Sequence, residues 1–514
     1  MSSGPRFGVW TVTLATAVLA ASCAINRLDR RLVPPSEAAT LDGTSPYLKA
    51  HLRDGHVYVL SGWRRDGGAI VGRGQLLDPN RALVAEGEFR LPADSVALFE
   101  TNVVRPSGAR IALTLMAGVT AAVATICLTN PKACFGSCPT FYAADSAGEA
   151  LQAEGFSASI APALEATDVD MLYRARPRGR DFVLRLTNEA LETHVIRYAD
   201  VLVARRPPGG RVFVTPDGQF RGAWGLRAPS RCRAEAGDCR DAVLAFDGRE
   251  RSSPADSTDL AARELVELEF DSAPPGPVGL AIGARQSLLT TFLMYQGLAY
   301  LGREAGRWLA ALETAGPAVR ERAAGLGRHL GGIEVLVPDA AGGWVSVGVV
   351  GETGPLAVDT KIVPLPPSVG GARRVRLRLT RGLWRLEYAA LAALGDTVPV
   401  LRLRPHRTLR AGRADPAALA ALRDSAGALT TLPGDEYRLV YRLPKDPGAY
   451  ELFLEARGYY IEWMRREWVA EENPALALRM FTDPAGTLRA LAPAYKRLEP
   501  EMERVFWGSR YAAR

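Results

Sequence analysis

Cysteine is the residue type whose spacing in this sequence offers the most definite chemistry. Two close pairs stand in turn-rich segments, Cys134 with Cys138 and Cys232 with Cys239. In an exported chain, close pairs of this kind favour disulfides over free thiols. A four-thiolate zinc site is the alternative, but the spacings differ from CxxC and no His flanks either pair. We therefore predict one disulfide within each pair, no metal site and no cofactor.

Paired carboxylates are the second group that could do chemistry, because glycosidases need two acids and no surrounding motif. Glu352 and Asp359 lie on a turn and a strand of one C-terminal segment, and they are the pair that we single out. The sequence contains no serine-hydrolase, zinc-protease, P-loop, dinucleotide or kinase motif, and its five His residues are scattered. The sequence therefore favours a protein without enzymatic activity, with a hydrolase as the alternative.

Two tryptophans of the same segment, Trp344 and Trp384, have the side chains that stack on sugar rings. Each stands on a predicted strand in a region where apolar and polar residues alternate, which requires one buried and one solvated face. On that argument both indoles are expected to be mostly buried. The alternative is a ligand-binding groove that the two indoles share with Glu352 and Asp359.

The first residues are typical of an export signal, which we assign to residues 1–22. The stretch from Phe7 to Ala21 is uncharged and mostly apolar, and a basic residue precedes it. The run ends in Leu19-Ala20-Ala21-Ser22-Cys23, which resembles the lipobox of bacterial lipoproteins, with Ala20 where that family prefers Leu. The resemblance implies cleavage before Cys23 and a lipid on its thiol. An ordinary cleaved signal and an uncleaved anchor are the alternatives.

Lipidation at Cys23 implies a location in the cell envelope, on the periplasmic side or at the outer membrane. The membrane is then a partner through the lipid anchor, since two or more acyl chains hold a protein stably where one is marginal. Residues 23–46 are charged, contain proline and show no periodicity. We therefore predict that they form a tether between the anchor and the folded body.

Residues 110–128 form a second apolar segment, predicted to be a helix. The stretch from Ile111 to Leu128 carries no charge, and a helix of this length could just cross a ~30 Å hydrocarbon core. A crossing after an exported N-terminus would place the paired cysteines in the reducing cytoplasm and the greater basic charge outside. We therefore predict a buried or membrane-surface helix between domains, with a free thiol at Cys127. A spanning helix is the alternative.

Composition sets the class of protein. The 514 residues are 47% hydrophobic and 23% charged, which fits several globular domains and excludes wholesale disorder, a collagen, a coiled coil and a polytopic membrane bundle. The net charge is +7, but nearly all basic residues are Arg and they are dispersed among Asp and Glu. The surface is therefore predicted to be mixed in charge, and nucleic acid is not expected as a partner.

Alternating apolar and polar residues predict a mainly β, multidomain α+β fold with helical insertions. Residues 47–105 contain five such runs with Asp-Gly turns and are predicted to form a small antiparallel β-barrel or roll. Further along, FVLRLT at 182–187 and YADVLVA at 198–204 are predicted strand partners. A similar phrase recurs as VRLRLT and YAAL within residues 375–391. The recurrence suggests two related β-modules, and a common strand-turn-strand pattern explains it as well.

Residues 131–283 are predicted to be a β-rich domain marked by one recognisable segment. It reads CFGSCPTFY from Cys134 to Tyr142, followed by an Ala/Gly-rich stretch that ends in Leu164-Glu165 and Asp168. This pattern resembles a family of uncharacterised exported bacterial lipoproteins. The resemblance implies an envelope location, and that family carries no established activity.

The remaining chain divides into a helical segment at 284–330, a module at 331–405, and a mixed region at 406–514 with a hairpin and a terminal helix. The order of strands, tryptophans and paired prolines over 331–405 resembles galactose-binding-like jelly rolls, which implies a β-sandwich and a sugar ligand. The sequence thus predicts a lipid-anchored cell-envelope protein with a binding or scaffold role, whose partner is a carbohydrate or an envelope protein. The alternative is a secreted hydrolase acting on envelope polysaccharide.

Overall fold

The computed structural model is mainly β, with several antiparallel sheets and a few helices, which confirms the predicted fold class. It describes residues 26–45, 47–52, 56–77, 83–106, 138–146, 148–190, 192–306, 308–309, 325–351, 353–425, 427–463 and 466–509. Several predictions lie outside the described residues and stay predictions: the signal peptide 1–22, Cys23, the apolar helix 110–128 with Cys127, Cys134 and Glu352. The chain divides into two compact units, Met1–Val123 and Ala124–Arg514.

The described part of the N-terminal unit is one six-stranded antiparallel sheet. Its strands are β1 Asn26–Val33, β2 Tyr47–His51, β3 Val57–Asp66, β4 Ala69–Leu77, β5 Leu83–Pro92 and β6 Leu98–Pro106. They lie in the order β1-β6-β2-β3-β4-β5. Leu48, Leu60, Ile70 and Phe99 form its core. The five strands predicted over residues 47–105 are present, in an open sheet rather than a closed barrel.

The turn between β3 and β4 shows why the sequence predicts hairpins in this unit. Asp66 pairs with Ala69, so Gly67 and Gly68 make a two-residue connection. Both glycines have positive φ, at 56° and 82°. Two-residue turns of this kind match the twist of the flanking strands, and glycine adopts them without a steric penalty.

The predicted tether is wrong from residue 26 onward. β1 pairs with β6 along its whole length, from Asn26 opposite Pro106 to Val33 opposite Phe99. A short 3₁₀ helix follows at Pro35–Thr40, and Val33 and Leu41 are buried in the core. The physical reason is that β1 is an edge strand, where charged residues are tolerated and the apolar alternation that marks a strand is weak.

The C-terminal unit contains the other twenty-two strands and six helices of the described chain. Its strands are β7 Thr140–Ala144, β8 Glu149–Glu154, β9 Ala166–Met171, β10 Asp181–Thr187, β11 Glu192–Arg205, β12 Gly210–Val214, β13 Phe220–Arg227, β14 Arg231–Ala234, β15 Gly237–Asp238, β16 Arg263–Ala273, β17 Gly276–Gln286, β18 Ile333–Pro338, β19 Trp344–Val350, β20 Asp359–Ser368, β21 Gly371–Thr380, β22 Trp384–Thr397, β23 Val400–Leu403, β24 Arg407–Arg410, β25 Arg413–Ala414, β26 Leu429–Thr431, β27 Glu436–Arg442 and β28 Tyr450–Glu462. Its helices are α1 Leu289–Leu301, α2 Gly325–Leu330, α3 Pro416–Arg423, α4 Arg466–Ala470, α5 Pro474–Thr482 and α6 Pro484–Ser509.

The first sandwich of this unit consists of two facing sheets. One has the order β25-β24-β27-β10-β7-β8, and the other has the order β23-β11-β28-β9 with β26 beside β11. Phe141, Leu184, Val201, Leu439 and Leu454 pack between them. The predicted pairing of residues 182–187 with 198–204 is therefore wrong. β10 and β11 lie in opposite sheets, and each pairs with a strand from the far end of the chain.

The second sandwich packs a six-stranded sheet against a closed barrel. The sheet has the order β15-β14-β16-β21-β18-β19, and the barrel has the order β12-β13-β22-β17-β20. Val266, Leu280, Leu377 and Trp384 belong to its core. Residues 331–405 do not form a jelly roll on their own, because their strands complete sheets begun by residues 210–286. The predicted boundaries of that module and of the 131–283 domain do not coincide with the sandwiches.

The two sandwiches repeat one arrangement of strands. The order β24-β27-β10-β7-β8 in the first corresponds to β14-β16-β21-β18-β19 in the second, and β11-β28-β9 corresponds to β22-β17-β20. The recurrent sequence phrase occupies equivalent places. In both copies LRLT ends one strand, and a β-bulge interrupts the next strand immediately before the Tyr-Ala pair, at Arg197 in β11 and at Glu387 in β22. The structure therefore supports the relation between two β-modules.

The halves of the two repeats are exchanged. Strands β7 to β11 pair with β23 to β28, whereas β12 to β17 pair with β18 to β22. Each sandwich thus contains one stretch from each repeat. The second sandwich occupies the continuous run from β12 to β22, whereas the first is assembled from the two stretches on either side of that run. Between the sandwiches lies a shared core in which Leu202 and Phe453 of the first meet Phe213 and Ile362 of the second.

Helices close one part of the C-terminal unit. Leu289, Phe292 and Leu293 of α1 and Leu488 of α6 extend the core of the second sandwich. α6 confirms the predicted terminal helix. Among the helices that the structure describes, none combines the length and apolar character needed to cross a membrane.

Candidate functional site

A cleft of about 370 Å³ opens where the first sandwich meets the second. Three separate stretches of chain line it. The first contains β8, the end of β9 and the residues just after β9. The second contains β17 and the segment between β15 and β16, and the third contains β22 and the segment before β20. Its lining residues are Ala150, Leu151, Gln152, Met171, Tyr173, Arg174, Phe246, Gly248, Glu250, Arg285, Leu356, Ala357, Val358 and Glu387. The exchange of repeat halves brings these stretches together.

Glu387 is the most buried acid of the cleft. It is the bulged residue of β22, and only 1% of it is exposed. Its Oε1 accepts hydrogen bonds from the Arg174 guanidinium and the Gly248 backbone N–H, both at 2.6 Å. Burial raises the pKa of Glu387 above the ordinary carboxyl value, and these two donors offset only part of that effect. Within the described part of the chain, no hydrogen bond reaches Oε2, so that oxygen is available to a ligand.

Glu250 is the second acid, and a guanidinium holds it in a two-pronged contact. Arg285 donates from Nε to one carboxylate oxygen at 2.6 Å and from Nη2 to the other at 2.7 Å. Arg285 is itself fixed by a 2.7 Å bond from Nη1 to the carbonyl of Pro355. Paired contacts of this planar kind are strong and directional. Each acid of the cleft is therefore neutralised by an arginine.

One wall of the cleft is aromatic. The rings of Tyr173 and Phe246 lie 3.9 Å apart between centroids, and Phe246 stacks on Tyr388 at 4.7 Å. The guanidinium of Arg211 lies 4.3 Å from the Tyr173 centroid. Burial raises the pKa of Tyr388, so its phenol stays protonated at neutral pH. These contacts give the wall a fixed shape.

Gln152 supplies an unused donor. Only 5% of the residue is exposed, and its Nε2 finds no hydrogen-bond acceptor among the described residues. A buried donor without a partner is costly, and most such groups in folded proteins are satisfied. Because Gln152 lines the cleft, rotation of its side chain would bring this donor to an acceptor of a bound ligand.

The two predicted tryptophans have different surroundings and share no groove. Trp384 is 1% exposed in the core of the second sandwich, which confirms its predicted burial. Trp344 is intermediate in burial, so most of the residue is covered but the indole is not enclosed in a core as Trp384 is. It lies on the edge strand β19, where the Arg376 guanidinium covers the indole at 4.0 Å from the ring centroid. Alternation along a strand shows that successive residues lie on opposite faces of the sheet. It does not show which of the two faces a neighbouring sheet covers.

Asp359 joins two strands, and the predicted pair with Glu352 stays a prediction because Glu352 lies outside the described residues. It begins β20 and is 4% exposed. Its carboxylate accepts a 3.2 Å hydrogen bond from the Met171 backbone N–H and forms a 2.6 Å ion pair with Lys361. The Lys361 ammonium also donates to the carbonyl of Val169 at 2.6 Å. These contacts join β9 to β20, and Asp359 does not line the cleft.

One of the two predicted disulfides is confirmed and the other is wrong. Cys232 and Cys239 form the predicted disulfide, which ties β14 to the residue after β15. The predicted disulfide of Cys138 with Cys134 is wrong, because Cys138 carries a free, buried thiol. Its Sγ lies 3.7 Å from the carbonyl oxygen of Ser157, inside the core of the first sandwich. Burial raises the pKa of this thiol well above its usual value, which makes it unreactive.

Sequence reasoning missed the cleft residues Gln152, Glu250, Arg285 and Glu387. One local signal could have found Glu387, because it is the lone carboxylate in an otherwise apolar stretch of β22. The others become neighbours only through pairing between distant segments. The part of the chain that the structure describes contains no group of three or more His, Cys, Asp or Glu residues placed to hold a metal ion.

The raised pKa of Glu387 predicts a specific pH dependence. A carboxyl group whose pKa is higher in the folded state than in the unfolded state destabilises the folded protein as pH rises. The loss of stability begins near the unfolded pKa and is complete above the folded pKa. We expect the free energy of unfolding of the wild type, relative to Glu387→Gln, to fall across that pH range and then level off. Urea unfolding of both proteins at a series of pH values measures this difference. A constant difference across the range would contradict the assignment.

Comparisons with known proteins add no argument about function. No protein-family model and no curated protein matches the chain. Among solved structures, a secreted serine protease, VesC from Vibrio cholerae, is 8% identical over 72% of this chain and 99% of its own, with a TM-score of 0.14. A structure of the infectious bursal disease virus Gt strain is 9% identical over 85% of this chain and 78% of its own, with a TM-score of 0.16. Likenesses this low carry no conclusion about fold or activity.

Proposed function

We propose that this protein is a lipid-anchored binding protein of the cell envelope and that the cleft is its ligand site. The lipobox-like end of the N-terminal apolar run supports the anchor. The Cys232–Cys239 disulfide supports an oxidising compartment outside the cytoplasm. A partly enclosed pocket with a few fixed polar groups and an aromatic wall is the usual form of a small-molecule site.

One observation carries the choice of binding over catalysis. Both acids of the cleft are occupied by arginines, Glu387 by Arg174 and Glu250 by Arg285. A general acid or base must exchange a proton with the substrate directly, whereas both oxygens of Glu250 and Oε1 of Glu387 already accept hydrogen bonds from within the protein. The same pairs serve binding well, because they hold their oxygens and N–H groups in fixed directions before the ligand arrives.

A hydrolase is the second candidate, because two carboxylates line one cleft and burial raises the pKa of one of them. That combination is the one that glycosidases use for acid and nucleophile or base. Glu250→Gln and Glu387→Gln distinguish the candidates. A binding protein shows no release of reducing ends from cell-wall polysaccharide, with or without either change. Turnover by the wild type that either substitution abolishes would establish the hydrolase.

The anchor gives a separate prediction. In Cys23→Ser we expect the protein to leave the membrane fraction and to appear in the soluble periplasmic or culture fraction, because no thiol remains for the lipid. Ser22→Ala keeps the cysteine and is the matched control. Fractionation with and without detergent, together with metabolic labelling by a radioactive fatty acid, measures both effects. Retention of Cys23→Ser in the detergent fraction would contradict the anchor.

Lipidation at Cys23 has a structural consequence, because β1 begins at Asn26. A long tether is then absent between the lipid and the N-terminal sheet. We expect that sheet to lie at the membrane surface when the protein is anchored.

A further inference from the structure

We infer that the ligand of the cleft is a neutral saccharide, an inference that rests on the proposed binding function and names its ligand class. Four features of the cleft lead to it: its charge balance, its unused hydrogen-bonding atoms, its aromatic wall and its size.

The charge balance of the cleft favours a neutral ligand over a strongly charged one. The cleft holds two guanidinium groups, from Arg174 and Arg285, and two carboxylates, from Glu250 and Glu387. Each charge already has an opposite partner at 2.6 Å. Because the paired groups leave the cleft without net charge, an anionic ligand gains no net attraction there and meets two carboxylates at close range. A neutral ligand adds hydrogen bonds without breaking either pair.

The cleft atoms without hydrogen-bond partners favour a ligand that both accepts and donates hydrogen bonds. The Nε2 of Gln152 is a buried donor without an acceptor among the described residues, and the Oε2 of Glu387 is an acceptor that no described donor reaches. A hydroxyl group offers one donor and two acceptor positions. Neighbouring hydroxyls on one ring can therefore satisfy the amide and the carboxylate together.

The aromatic wall and the size fit a sugar ring. Tyr173 and Phe246 present apolar carbon to the cleft beside these polar atoms, and a pyranose has apolar C–H groups beside its hydroxyls. The volume of about 370 Å³ lies at the lower end of the ~300–1,000 Å³ range of ligand pockets. A ligand of one or two rings matches it better than a long polymer enclosed along its length.

Gln152→Leu is the decisive variant, because it keeps the shape of the side chain and removes the amide. Its stability should equal or exceed that of the wild type, since a buried donor without a partner disappears. Its affinity for the sugar should fall about tenfold or more, because the ligand acceptor then faces a methyl group. Gln219→Leu is the matched control, since Gln219 lies exposed in the turn between β12 and β13.

In the experiment, each probe is titrated into the full-length protein, and binding is measured by saturation-transfer NMR and by calorimetry. The probes are galactose, N-acetylglucosamine and its disaccharide, with glucuronate as a charged sugar and glycylglycine amide as a neutral non-sugar. We expect a neutral sugar to bind the wild type and Gln219→Leu alike, and Gln152→Leu and glucuronate to bind more weakly.

The remaining outcomes separate the two proposals. Binding of the peptide amide but of no sugar, lost in Gln152→Leu, would overturn the saccharide and leave the binding function standing. Preference for glucuronate, or equal sugar affinity in Gln152→Leu, would also overturn the saccharide inference. Absence of binding by every probe, or cleavage of the disaccharide, would overturn both proposals.

Discussion

Trp384→Ala is expected to lower the free energy of unfolding of the C-terminal unit by about 3–5 kcal/mol, as large core truncations do. The indole is 1% exposed and packs between the barrel and the facing sheet of the second sandwich. Removal of the ring leaves a cavity that the surrounding strands cannot fill, because β22 is held on both sides by barrel neighbours. Denaturant unfolding followed by circular dichroism measures the loss.

Trp344→Ala is the matched control, since it removes the same side chain from the same segment. That indole is half-buried on an edge strand and is covered mainly by Arg376, so the cost should be about 1 kcal/mol. Trp384→Phe separates packing from the indole N–H, which finds no acceptor within the described chain. Its cost should be well below that of the alanine variant. Equal losses for Trp384→Ala and Trp344→Ala would contradict the assigned cores.

Glu451→Gln is expected to cost about 3 kcal/mol, because it removes the carboxylate that joins the two sandwiches. Glu451 belongs to β28 of the first sandwich and is 1% exposed. It accepts two hydrogen bonds from Arg206, each at 3.1 Å, and two from Arg211 of β12, at 2.6 and 2.8 Å. Gln cannot balance two guanidinium groups, and both would remain in a partly buried contact without a counter-charge.

The control is Asp181→Asn, which breaks a pair with Arg442 in which both side chains are about half exposed. Exposed ion pairs contribute less than about 1 kcal/mol, so this variant should unfold near the wild type. Both variants are compared by the same urea titration. Since Arg211 also contacts the Tyr173 ring of the cleft, Glu451→Gln should weaken ligand binding as well. Equal effects of the two changes would show that Glu451 has no special role between the sandwiches.

Local features of the fold were predictable from the sequence, and long-range pairing was not. The turn at Gly67 and Gly68 and the strands beside it follow from residue types a few positions apart. By contrast, Arg185 of β10 lies opposite Arg438 of β27. No local pattern specifies that partner, and the nearer strand β11 was the natural but wrong choice. The exchange of repeat halves makes such distant pairing the rule in this unit.

Complete burial was predictable only where both faces of a strand are covered. Trp384 stands on a strand with a packed core on each side, so either face would have buried it. Trp344 stands at an edge, where the same alternation leaves one face to solvent. The candidate site was not predictable, because Gln152, Glu250 and Glu387 come from three stretches that only the fold brings together. The predicted pair in its place contained Asp359, which holds two strands together instead.

The most direct test of the proposed ligand site is a crystal structure of the protein soaked with the N-acetylglucosamine disaccharide at a saturating concentration. We expect sugar density in the cleft, with a hydroxyl or carbonyl oxygen within hydrogen-bond distance of Gln152 Nε2 and both arginine–glutamate pairs intact. An empty cleft at saturation, or sugar bound only at another surface, would contradict the claim that this cleft is the ligand site.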